Sequence, residues 1–190
     1  MELSRFFWTS GLALLIGGIL YSAAWILFAA IDPEHNQYTG LWWRPLNFMV
    51  IVGSILIALG LPGFYAFQAE PAGWPGLIGV VMLFVGMLLA GVAGQAVETF
   101  TLPHLGQVPA EARIIFNVAG PLLFFGIIIT GIVAWRAGVY PWLAGVALIV
   151  AALAGLAATY VPMPLWLRWG MAALYSAVIA WLGFFLMVRS

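Results

Sequence analysis

Long apolar runs alternate with short polar breaks along this chain. The runs occupy about residues 7–31, 46–67, 75–97, 114–135, 141–161 and 165–188. Each approaches or exceeds the roughly 20 residues that a helix needs to cross about 30 Å of hydrocarbon. A closed β-barrel is the other way to span a bilayer, but its strands alternate polar and apolar over about ten residues, and these runs are continuous. The pattern therefore predicts an all-α integral membrane protein, a compact bundle of six transmembrane helices forming a single domain over residues 1–190. The first run continues from Phe6 to Ile31. That is longer than the roughly 7–15 apolar residues of a secretory signal, so it reads as a retained helix.

The breaks hold turn and capping residues. Asp32-Pro33-Glu34-His35-Asn36 ends the first helix, and Glu70-Pro71-Ala72-Gly73 reads as a short second connection. Arg136-Ala137-Gly138 supplies a cation and a glycine at the end of the fourth helix, where the helix dipole is negative. Pro62 and Pro121 fall inside helices and are expected to kink them.

Small residues at regular spacing predict how the helices meet, because association in lipid depends on close contact. The stripes are Ala13 with Gly17 and Gly18 with Ser22 on the first helix, and Gly86, Ala90 and Gly94 on the third. Ala147, Ala151, Gly155 and Thr159 lie on the fifth, and Ala172, Ser176 and Ala180 on the sixth. An internal repeat is also suggested. Gly63, Ala66, Ala69, Pro75 and Gly79-Val80 correspond to Gly131, Ala134, Ala137, Pro141 and Gly145-Val146. Such a repeat would relate helices two and three to helices four and five in a parallel sense.

Composition strengthens the membrane reading. The chain is 65% hydrophobic and 6% charged, against about 25% charged in a soluble domain. Six arginines balance six acids, with no lysine. No like-charge run points to a nucleic acid. The absence of cysteine excludes disulfides and thiol chemistry, and the absence of lysine excludes Schiff-base chemistry. Tryptophans gather in two belts expected at headgroup depth: Trp42, Trp43, Trp166 and Trp169 at one interface, and Trp8, Trp74, Trp135 and Trp142 at the other. Arginines divide equally between the two sides. The reading adopts cytoplasmic termini in a bacterial inner (plasma) membrane, led by the first helix.

The polar residues concentrate at residues 95–117, with a smaller counterpart at 32–47. The candidate binding residues are Gln95, Glu98, His104, Arg113 and Asn117, joined by Arg44 and Asn47. Arg113 and Asn117 share a helix face, and Glu98 is positioned to approach Arg113. No spaced set of metal ligands, haem-binding helix histidine, nucleotide loop or serine elbow is present, and no catalytic residue or cofactor is assigned. No ionisable group lies near the middle of a helix, which disfavours an ion-coupled pump. The leading expectation is a protein that binds or moves a lipid or apolar small molecule through a cavity on the non-cytoplasmic side. The alternatives are an accessory subunit of a larger membrane complex or homo-oligomer, and an intramembrane enzyme using Glu98 and His104 as acid and base.

Overall fold

A computed structural model describes residues 2–31, 40–162 and 164–190, the side chains at 159, 160 and 165 excepted. The helices are α1 (Glu2–Ile31), α2 (Trp43–Phe67), α3 (Ala69–Gly86), α4 (Gln95–Leu105), α5 (Ala110–Ala137), α6 (Trp142–Tyr160) and α7 (Leu165–Arg189). A π-helical segment, Met87–Gly94, joins α3 to α4 with helical backbone angles at both junctions. The α3–π–α4 rod therefore counts as one span, and the bundle has six. Five spans are long and apolar enough to cross a membrane, and α6 is the shorter sixth. The outer surface is covered with exposed Leu, Ile, Val and Phe side chains, as contact with a lipid bilayer requires.

The spans form a closed ring in the order α1, α2, α3–π–α4, α5, α6, α7, with α7 packed along α1. Every helix sends apolar side chains to the axis, among them Leu14, Ile57, Leu83, Ile127, Leu148 and Leu186, all fully buried. The space left between Leu14, Leu61, Leu83, Thr130 and Leu148 is only about 10 Å³, at most one water. Side chains thus fill the bundle's axis.

Small residues set the seams. Gly18, Ser22, Ser176 and Ala180 meet where α1 crosses α7. There the Ser22 and Ser176 hydroxyls lie 2.8 Å apart and each is 3.0 Å from the Ala173 carbonyl, so one donates to its partner and the partner donates to that carbonyl. On the other face of α1, a Cβ on Gly17 would lie 2.7 Å from the Gly53 carbonyl of α2. Hydroxyl pairs and backbone-to-backbone approach are what hold helices together in the absence of water.

Three sequence expectations change. First, the second connection is not a loop. Helix resumes at Ala69 after the non-helical Gln68 (φ −121°, ψ 13°), and a second break falls at Gly73, at φ 53°, ψ −155°, a region open essentially only to glycine. By contrast, α2 and α5 run on through Pro62 and Pro121. Second, the small stripe of the third span is re-phased. A π turn advances about one residue further than an α turn, so Gly91 rather than Ala90 faces α2, against Ser54, while Ala90 is half-buried. Third, the repeat does not extend to packing. Gly131 and Gly145 face each other across α5 and α6, whereas Gly63 packs on Ser10 of α1 and Gly79 on Thr130 of α5.

Candidate functional site

The polar end of the third span is helical where a loop was expected. Helix continues to Leu105, and Gly106 closes it in the left-handed conformation with its N–H on the Leu102 carbonyl. Only residues 106–109 connect it to α5. Past the break at Gly73, the stretch from Trp74 to Leu105 would be about 48 Å long if straight, beyond the hydrocarbon core, so its α4 end lies at the headgroups or past them. Its polar residues are therefore fixed on helix faces.

One face of α4 carries Gln95, Thr99 and Leu102, all buried against neighbours. Gln95 Nε2 donates to Oδ1 of Asn47, which is wholly buried on the second turn of α2. Asn47 Nδ2 donates in turn to the Trp43 carbonyl at 2.7 Å. Trp43 Nε1 reaches the Thr99 carbonyl at 3.3 Å, and the Thr99 hydroxyl bonds the Gln95 carbonyl at 2.6 Å. The result is a closed network joining the start of α2 to α4. Trp43, at the first residue of α2, is buried in this network, and Trp169 also packs inward. Trp8, Trp42, Trp74, Trp135, Trp142 and Trp166 remain exposed.

The structure brings Asn47 and Gln95 together and leaves the other candidates apart. Glu98 is half-buried one turn from Gln95. Arg113, Asn117, His104 and Arg44 are exposed. Arg113 turns to its own loop, where Nη2 donates to the Val108 carbonyl at 3.5 Å, and among the described residues no ion pair joins it to Glu98. On a continuous helix, Glu98 and His104 are about 9 Å apart along the axis and roughly 120° apart around it. One substrate atom is not bracketed by such a pair. The stretch at 32–39, including Asp32, Glu34 and His35, lies outside the described residues.

A cavity of about 160 Å³ lies elsewhere at the same end of the bundle, between α1, α5, α6 and α7. Leu123, Phe124 and Gly155 form apolar wall, Tyr21 and Tyr175 bring hydroxyls, and the exposed Arg168 lies at the rim. Tyr175 is 3% exposed, and its hydroxyl makes no hydrogen bond of ordinary geometry, with the Tyr21 hydroxyl beside it. Trp25 Nε1 is likewise buried without a bond of ordinary geometry, with Tyr21 its neighbour. Buried donors without acceptors are uncommon and call for an explanation. The candidate residues read from the sequence did not include these. Their signal was weak: tyrosines within apolar runs, and an arginine in the first turn of the last helix.

Comparison with protein-family models, with curated proteins and with solved structures gives no match.

Proposed function

We propose that this polytopic membrane protein binds a lipid or an apolar small molecule, or helps move it, in the cavity between α1, α5, α6 and α7. The observation that carries this reading is the cavity itself: mostly apolar, beside a seam of a bundle whose axis is otherwise filled. It opens at the end where α4 meets α5, the end taken here as non-cytoplasmic. The polar residues at 44–47 and 95–117 serve this reading as a frame. Asn47 and Gln95 fix α2 to α4, while Arg44, His104, Arg113 and Asn117 meet the headgroup layer and Glu98 stands between the two groups.

Native mass spectrometry of the gently extracted protein tests the reading. A bound small molecule is expected on the wild type. It should be lost from Gly155→Ala, whose new methyl would strike the Phe124 ring and drive it into the cavity. Equal retention by both proteins would remove the cavity from the functional account. Partner proteins recovered in fixed ratio would instead favour an accessory subunit.

A further inference from the structure

We propose that the ligand of this cavity is an anionic glycerophospholipid held at its head-to-ester region, with its phosphate on Arg168 and an ester carbonyl on the Tyr175 hydroxyl. The inference rests on the binding role proposed above and names its ligand.

Four features converge on it. Arg168 and Tyr175 are seven residues apart on α7, so they share one face and are separated by about 10 Å along it. Both line the same cavity. Helical side chains lean toward the N-terminus of their helix, which for α7 is the interfacial end. The order along the wall is therefore cation, then buried hydroxyl, then hydrocarbon. The ligand chemistry that matches is anion, then carbonyl, then acyl chain.

Size agrees with partial enclosure. Pockets that engulf a drug-sized ligand run from about 300 Å³ upward, and this cavity holds about 160 Å³. It has room for the ester and the first methylenes of one chain, with the remainder in the bilayer. The α6–α7 seam beside it is the loosest in the ring, a side exit for that chain. Depth agrees as well. Exposed Trp166, next to Arg168 in sequence, marks headgroup level. There the planar guanidinium fork of Arg168 can meet a lipid phosphate, and the Tyr175 hydroxyl, which makes no well-formed bond to the neighbouring Tyr21 hydroxyl, gains a better-placed acceptor.

The test adds phosphatidylglycerol, phosphatidylcholine or oleate of matched chain length to the delipidated full chain and counts retained molecules by native mass spectrometry. Wild type should retain one phosphatidylglycerol with about five- to ten-fold preference over phosphatidylcholine. Arg168→Gln, an exposed change compatible with folding, should abolish the preference. Tyr175→Phe should weaken both phospholipids about five-fold. The same variant should raise the melting temperature of the delipidated protein, because it deletes an unsatisfied buried hydroxyl. A purely structural tyrosine would not show that opposition. Equal retention of both phospholipids by wild type and Arg168→Gln would overturn the assignment. So would unchanged phosphatidylglycerol retention in Tyr175→Phe, or oleate binding with the same dependence on Arg168 and no phospholipid retained. If wild type holds only a neutral apolar probe such as a long-chain alkane, this head-group assignment fails and the broader binding role survives. If it retains none of these molecules, both fail.

Discussion

Two corners at one end of the bundle treat polar groups in opposite ways. Where α2 meets α4, the side chains of Asn47, Gln95, Trp43 and Thr99 donate to one another or to neighbouring carbonyls. Where α1 and α7 meet α5 and α6, Tyr175 and Trp25 keep buried donors without a bond of ordinary geometry beside about 160 Å³ of space. A satisfied network in a dry setting adds rigidity and offers a ligand nothing. An unsatisfied one costs stability in the empty protein and recovers it when an acceptor arrives. The two corners thus read as a lock and a receptor.

The largest expected effect comes from placing the same methyl group at Gly91 in the π segment, just before the lock, and at Gly155 in the cavity corner. In Gly91→Ala the new Cβ would lie 2.7 Å from Ser54 Cβ of α2, and Ser54 is itself held by its bond to the Val50 carbonyl at 2.7 Å. Neither side has room to move. Overpacking of this kind costs about 1–3 kcal/mol, and the better helix propensity of alanine returns about 1, leaving up to about 2 kcal/mol of destabilisation at this rigid contact. Gly155→Ala meets the Phe124 ring, which can swing into the cavity, so its cost should stay below about 1 kcal/mol. Chemical unfolding of both variants in one detergent measures the difference. Equal losses would show that the cavity corner is as rigid as the lock.

A somewhat smaller effect is expected within the lock. Asn47→Leu removes the acceptor of Gln95 and leaves a buried amide unpaired, a loss of about 1.5 kcal/mol. Interhelical hydrogen bonds in membranes average nearer 0.6, but an orphaned buried group adds its desolvation penalty. The double variant Asn47→Leu, Gln95→Leu removes both partners and should recover at least half of that loss. Additive losses in the double variant would mean that the two amides do not depend on each other.

The fold was far more legible than the site, for a physical reason. Hydrocarbon imposes a length and an apolar composition on every span, so six runs could be read without knowing their neighbours. The small stripes Gly18 with Ser22 and Ala172, Ser176 and Ala180 were visible at helical spacing, but not that they meet each other at the α1–α7 seam. The third span resisted. A π segment leaves no periodic mark when most residues are apolar, so Gly91 was hidden behind Ala90. Polar residues near Pro103 looked like a loop because helix ends and polar loops share a composition. The lock was half legible: Asn47 and Gln95 stood out as polar residues in apolar surroundings, but their pairing joins positions 48 apart in the chain. The cavity was hidden, since empty space depends on how four helices fail to fill a corner, and that is a tertiary property.

The smallest effect belongs to Glu98, and it sharpens the boundary between the two corners. Glu98 is half-buried on α4, one turn from Gln95, and does not line the cavity. Glu98→Gln preserves shape and hydrogen-bonding capacity while removing the charge. Outside a paired network such a change usually shifts stability by less than about 0.5 kcal/mol. If the receptor is confined to the α1–α5–α6–α7 corner, lipid retention should match wild type within error, even as Arg168→Gln alters it. A shared loss in the two variants would mean that the α4 carboxylate and the α7 guanidinium act on one bound molecule. The site would then have to extend across the mouth of the bundle, and the lock would be part of the receptor's wall.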